Sequence, residues 1–256
     1  MKAHALFVPL AAACMAAGAA DITPSGPEVP ANLLRIEVHF DRPMPAVPLH
    51  AIVLRDAAGR PIPDALLDLV LPDRDERNLV VLMHPGRVKQ GVGPNQALGP
   101  ALHAGDDVTL EVDDPRLARP LARTWHVGAP VAARIDPARW KVTAPDAGGR
   151  APLVLALPSA INASAAPLIA VADAAGRRVA GRATLAPGEK EWRFVPASPW
   201  QAKRYEVRIH PALEDPAGNR LCAPFETRAQ SAEACDAEGR IGVDVGASPP
   251  QGRSTT

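Results

Sequence analysis

The amino-acid sequence predicts an all-β chain folded as two tandem β-sandwich domains. Three observations predict it. Prolines and glycines, 29 and 19 of them in 256 residues, interrupt the chain too often for long helices but suit short strands joined by turns. Apolar residues recur at period two. One turn motif occurs twice, about one domain length apart.

The period-two stripes run along the whole chain: Leu34, Ile36, Val38, Phe40; Leu67, Leu69, Leu71; Leu79, Val81, Met83; and Val108, Leu110, Val112. Further on come Leu153, Leu155, Leu157; Ile169 and Val171; Trp192 and Phe194; and Tyr205, Val207, Ile209. Alternation at this period puts one set of side chains on one face of a strand. Many such stripes separated by Gly, Pro and Asp indicate a sandwich. Aromatics are only 4% of the chain, so the core must be mostly aliphatic.

The repeated turn is Asp56-Ala57-Ala58-Gly59-Arg60, which returns as Asp173-Ala174-Ala175-Gly176-Arg177, 117 positions later. A second correspondence links Val108-Thr109-Leu110-Glu111-Val112 to Tyr205-Glu206-Val207-Arg208-Ile209, at a spacing of 97. The first copy therefore carries about 20 extra residues between these landmarks, a surplus that includes the Gly/Pro-rich run 84–100. Domain one is expected over 31–126 and domain two over 134–227. Residues 21–30 are read as a lead-in, Gly128-Ala129-Pro130 as the joint, and 228–256 as a disordered tail.

Residues 1–20 read as a signal peptide, with Lys2, the apolar run Ala5–Ala13 and small residues up to Ala20. A lipoprotein reading through Cys14 ranks second, because Leu10 lies four and not three residues before it. Export, to the periplasm or beyond, would place Cys222 and Cys235 where a pair is more often a disulfide than a metal site. Two free thiols are the alternative. Acidic and basic residues balance at a net charge of zero, which leaves no electrostatic footprint for nucleic acid. No later segment is long and apolar enough for a membrane span.

Several residues carry the resemblance to a known family. They are the second Asp-Ala-Ala-Gly-Arg turn, Trp192-Arg193-Phe194-Val195-Pro196, Tyr205 to Ile209, and Leu213-Glu214-Asp215-Pro216-Ala217-Gly218-Asn219. Domain two resembles the bacterial immunoglobulin-like domains of surface and secreted proteins, and the Asp-x-x-Gly-Asn turn is the most specific of these features. Domain one, opening at Val38-His39-Phe40-Asp41-Arg42-Pro43-Met44, looks like a divergent copy. It has Val108 where domain two has Tyr205, and it lacks a clear Asp-x-x-Gly-Asn. The resemblance implies two tandem Ig-like sandwiches in uncharacterised exported proteins, and no reaction. It also implies a tyrosine-corner role for Tyr205, its hydroxyl bonded to backbone.

Few residues offer chemistry. In the run 84–100, Arg87, Lys89 and Asn95 are candidate ligand-binding residues on a flexible loop. The structural alternative is a cap on one end of domain one, with Arg87 paired to an acid. No Walker or dinucleotide signature is present. The acidic runs lack calcium spacing and the histidines lack zinc spacing, so no cofactor and no metal are expected. No Gly-x-Ser-x-Gly surrounds Ser25, Ser159, Ser164 or Ser198, so catalytic residues are expected to be none.

The favoured reading is a non-catalytic exported protein of the cell envelope. It would act in binding, adhesion or as a spacer, with an envelope protein or glycan as partner. One alternative is a carbohydrate-binding protein using exposed Trp side chains. Another is a hydrolase with an unrecognised site. Trp125 and Trp140 are expected to glue the two domains together.

Overall fold

A computed structural model of the chain describes residues 20–89, 91, 93–225 and 238–246. Two sandwiches follow one another. In the first, one sheet has the order β1 (Asp21–Thr23), β3 (Arg35–His39), β6 (Asn78–Met83), β5 (Leu66–Pro72). The facing sheet runs β2 (Glu28–Pro30), β8 (Leu121–Gly128), β7 (Asp107–Val112), β4 (Ile52–Arg55). The second sandwich pairs β9 (Lys141–Thr143), β10 (Leu153–Ala156), β13 (Glu191–Pro196) and β12 (Gly181–Leu185), in the order β12-β13-β10-β9. Its other sheet is β11 (Ile169–Asp173), β14 (Arg204–Ile209), β15 (Gly239–Asp244). Among the described residues, all strand pairings are antiparallel except β2 with β8. This strand order is the immunoglobulin-like Greek key, so both modules are Ig-like sandwiches.

The alternating stripes explain each module. Val108, Leu110 and Val112 of β7 face inward against Ile36, Val38 and Val81, and every one of these side chains is buried. In the second module Val207 and Ile209 of β14 meet Leu153, Leu155 and Trp192. Burying one such aliphatic side chain stabilises by roughly 1.5–3 kcal/mol, so two separate cores of this kind define two units. Trp192, Phe194, Trp200 and Tyr205 form a chain of ring contacts through the second core, with centroids 5.0–6.0 Å apart. The Tyr205 hydroxyl accepts the Gln201 backbone N–H at 3.2 Å, which is the corner bond expected for this position.

Strand register shows how the copies differ. Ile52 pairs with Val112 and Leu54 with Leu110, while Ile169 pairs with Ile209 and Val171 with Val207. The spacings of 117 and 97 therefore hold in the hydrogen-bond register itself. The other sheet places Ile36 opposite Val81 and Leu153 opposite Phe194. That lets β3 match β10 at 117 but β6 match β13 at 113. Only four of the surplus residues thus fall before β6. The other sixteen lie between β6 and β7, where 84–100 sits.

Four segments differ from their expected form. The lead-in 21–30 forms β1 and β2, because Ile22 and Val29 complete the first core. The run 84–100 contains two short helices, α1 (Pro85–Val88) and α2 (Gly93–Leu98); Pro85 stands at a helix start, where its missing N–H costs nothing, and the His84 ring accepts the Gly86 N–H. The stripe of Leu67, Leu69 and Leu71 does not face the core, for Leu69 is 47% and Leu71 42% exposed.

The fourth is the tail. Gly239–Asp244 is no loose end but the last strand of domain two, with Tyr205 opposite Val243 and Val207 opposite Ile241. Val243 and Val245 are buried in the second core, which would otherwise lie open along β14. The segment expected to be a signal peptide, 1–20, lies outside the described residues except for Ala20. If β15 closes that core, Val243→Asp should cost domain two about 3 kcal/mol or more, by burying a charge opposite Tyr205. Calorimetry of the full chain would measure it, and an unchanged unfolding profile would return residues 239–244 to a loose tail.

Candidate functional site

The described residues with the densest polar chemistry lie where the two sandwiches meet. The Asp-x-x-Gly-Asn turn is at the centre. Asp215 Oδ1 accepts the N–H groups of Ala217 and Asn219 at 2.9 and 2.8 Å, and Oδ2 accepts from Asn219 Nδ2 at 2.8 Å. The same backbone pattern holds Asp56 to Arg60 and Asp173 to Arg177, but those two turns are exposed loop tips. At Asp215 the turn is buried, because it docks on domain one.

The docking is made by backbone. The Pro216 carbonyl accepts both Leu34 N–H and Arg35 N–H, at 2.8 and 3.0 Å. Gly218 has φ +80°, and a Cβ there would stand 2.6 Å from the Leu34 side chain, so both the turn and the close approach require glycine. Arg35 pairs with Glu214 at 3.2 Å. The connecting segment is held from both sides. The Asn32 side chain donates to the Val131 carbonyl and accepts the Val131 N–H, each at 2.8 Å, and Asn219 Nδ2 donates to the same carbonyl at 3.0 Å. Asn32 and Asn219 are both buried.

A second patch consists of two reciprocal clamps. Ser25 donates its backbone N–H and its hydroxyl to the two oxygens of Glu189, at 2.9 and 2.6 Å. Ser164 does the same to Glu37, at 2.8 and 2.6 Å. Serine and carboxylate exchange domains between the two clamps. Glu189 and Glu37 are both buried, and Ser25 Oγ also accepts the Gly188 N–H at 2.7 Å. Arg123 steadies this side by bonding the Ser25 carbonyl and Asp21. A cleft of about 910 Å³ runs between the domains, bordered by Asp21, Glu37, His39, Arg123, Ser164 and Glu189. Burial raises both the Glu189 and the Asp215 carboxyl from the ordinary carboxylate range, the latter to about 6, against the hydrogen bonds that favour their charged forms.

The residues expected to bind a ligand are placed otherwise. Arg87 is buried, and its guanidinium donates to the carbonyls of Gly99, Pro63 and Pro100. Among the described residues it pairs with no acid, and it holds the two-helix insertion together. Asn95 joins it, donating weakly to the Arg87 carbonyl at 3.4 Å. Lys89 points elsewhere, with Nζ 4.4 Å from the Phe225 ring centre. Phe225 packs against the first core although it follows the Asp215 turn, so Lys89 belongs to the joint. The three are therefore not one binding constellation: each is engaged in holding the fold. Cys222 is disulfide-bonded, and Cys235 lies outside the described residues.

All four Trp side chains are buried. Trp125 donates to the Pro24 carbonyl inside core one, while Trp192 and Trp200 donate to the carbonyls of Ala166 and Ala151 in domain two. They neither glue the domains nor offer a sugar platform. Large aromatic rings gain most from full burial when each indole N–H finds a carbonyl, and here three do. Among the described residues no three His, Cys, Asp or Glu side chains gather as a metal would need, and no helix is long and apolar enough to cross a membrane.

Sequence reasoning missed Ser25, Asn32, Glu37, Ser164 and Glu189 as functional residues of the joint. The only local sign was Glu37, a charge inside the stripe Ile36, Val38. The Asp215–Asn219 turn was legible, but its burial was not.

No family model matches the chain, and no curated protein matches it. Among solved structures, a chimeric titin Z1Z2 carrying an exogenous KLER peptide from decorin aligns over 87% of this chain and 92% of its own, at 8% identity and a TM-score of 0.28. The titin domains Z1Z2 in complex with telethonin align over 86% and 91%, at 9% identity and a TM-score of 0.25.

Two outcomes test the joint. Asp215→Ala leaves three buried N–H donors without their acceptor and should cost roughly 2–4 kcal/mol in denaturant unfolding. The raised pKa adds a pH signature. A carboxyl raised to about 6 when folded contributes stability below its unfolded value, and that contribution is lost as pH rises through 6. From pH 5 to pH 7 the wild type should therefore lose about 1 kcal/mol relative to Asp215→Asn. Parallel stability curves for the two proteins would exclude a raised pKa.

Proposed function

We propose that this chain is a non-catalytic protein exported to the bacterial cell envelope, where its two Ig-like modules act as one rigid binding or spacing element. The observation that carries the reading is the joint. Backbone bonds from Leu34 and Arg35 to Pro216, and side-chain bonds from Asn32 and Asn219 to Val131, fix one domain on the other. Flexible tandem modules need only a linker, and a spacer or a two-domain binding face needs this kind of fixed angle. Export is supported by the apolar N-terminal run after Lys2 and by the disulfide at Cys222, since disulfides persist in oxidising compartments. No observation favours a hydrolase. With every Trp buried, the glycan reading has no aromatic platform.

The rigidity is measurable. Spin labels on exposed residues of the two domains, at Arg60 and Arg177, should give one narrow distance distribution. In Glu37→Ala/Glu189→Ala, with both clamps removed, the distribution should broaden while each domain stays folded. A broad distribution in the wild type would overturn the rigid element. Cell fractionation should recover the chain outside the cytoplasm with its N-terminus near residue 20, and recovery of the intact chain in the cytoplasm would overturn export.

A further inference from the structure

The joint uses one end of domain two. Ser164 precedes β11, Glu189 precedes β13 and Asp215 follows β14, so all three stand at that end. The turn Asp173 to Arg177, after β11, and the loop between β13 and β14 therefore lie together at the opposite end. They border a pocket of about 340 Å³. Its floor is rigid. Trp200 and Tyr205 are buried and stand edge to face, with ring centres 5.0 Å apart. The Trp200 N–H donates to the Gly149 carbonyl, and the Trp200 carbonyl accepts the Gly148 N–H, each at 2.8 Å.

The walls are cationic. Arg177, Arg178 and Lys203 line the pocket against one acid, Asp173, which leaves two positive charges in excess on a chain of zero net charge. Asp173 is already bonded to Arg177. Arg178 is exposed, and among the described residues it has no ion pair. Lys203 has none either; its Nζ stands 5.2 Å from the Tyr205 ring centre, which holds it at the floor. Ser198 and Gln201 add a hydroxyl and an amide to the same lining. Like charges lining one small pocket repel one another, and an anion bound among them removes that cost.

Domain one shows that this charge is particular to domain two. Its corresponding pocket is bordered by the turn Asp56 to Arg60 and the start of β7. At the spacing of 117, Pro61 stands where domain two has Arg178, and each bridges back to the preceding strand, at Arg55 and at Ala172. At the spacing of 97, Asp106 stands where domain two has Lys203. Arg60 and Arg87 there meet Asp56, Asp106 and Asp107, a balance of one negative charge with His103 neutral. The same place in the two copies thus carries opposite signs. We propose that the pocket of domain two binds a phosphate monoester group, held by Arg178 and Lys203 with Arg177 as a third cation at the rim. Such a group carries about 1.5–2 negative charges at pH 7, which matches the excess, whereas a carboxylate carries one. A guanidinium fork and an ammonium are the side chains that suit its oxygens. The site is independent of the rigid joint, because it lies at the opposite end of the domain.

Titration of the full chain with inorganic phosphate at constant ionic strength should shift the amide resonances of Arg178, Ser198, Gln201 and Lys203, with a dissociation constant of about 1 mM or below. No saturable shift up to roughly 20 mM would overturn the site. Arg178→Ala and Lys203→Asp should each weaken binding about tenfold or more. Arg60→Ala, in the corresponding pocket of domain one, should leave it unchanged. Equal weakening in all three variants would overturn the proposal, since it would mark attraction by overall charge. Arg178 is exposed, so an unchanged melting temperature is expected for Arg178→Ala and separates lost binding from lost folding. Vesicles distinguish the two sources of the group. Co-sedimentation with phosphatidylcholine vesicles that contain phosphatidic acid, lost in Arg178→Ala, would support a lipid headgroup. Saturable phosphate binding without co-sedimentation would support a soluble phosphate monoester.

Discussion

The joint depends on buried hydrogen-bonding groups that neither domain can satisfy alone. The N–H groups of Leu34 and Arg35 find their acceptor in Pro216, the amide of Asn32 finds Val131, and the two buried carboxylates find serines of the other domain. Leaving such a group unpaired costs about 1–3 kcal/mol. Undocking would expose them to water, and partial undocking would strand some of them. The joint therefore behaves as one cooperative element, and the two sandwiches take a single relative position because the donors and acceptors are directional.

One turn, used three times, shows how context sets a motif's role. Asp56, Asp173 and Asp215 each accept N–H groups from residues two and four positions on. The first two are closed at their tips by the following Arg, whose guanidinium reaches the Asp and stays in solvent. The third replaces that Arg by Asn219, a short side chain whose amide serves Asp215, Val131 and Phe225 together. A long exposed cation could not be buried there without its own counter-charge, whereas an amide has both a donor and an acceptor to share. The substitution at the fifth position is what turns a surface hairpin into a docking element.

The duplicated domains divided their loops unequally. Domain one spends its extra residues between β6 and β7, where Arg87 ties the insertion to three carbonyls and Lys89 reaches Phe225. Domain two instead lengthens the connection between β14 and β15, and that connection carries both the Asp215 turn and Phe225 onto domain one. Each insertion thus ends at the joint, from opposite sides.

By itself the sequence determined what is local or periodic. Alternating stripes dictated strands, the spacings of 117 and 97 survived as hydrogen-bond registers, and Tyr205 and the Asp215 turn were recognisable because their partners lie within four residues. Strand β15 was equally periodic at Ile241, Val243 and Val245, yet the glycines and the polar stretch before it concealed it. Only the tertiary structure decided which face of a stripe met the core, so that Leu69 lies outside while Val243 lies inside. It alone brought Ser25 to Glu189 and Glu37 to Ser164. Those contacts join residues more than a hundred positions apart, and a hydrogen bond formed by folding leaves no periodicity along the chain to announce it.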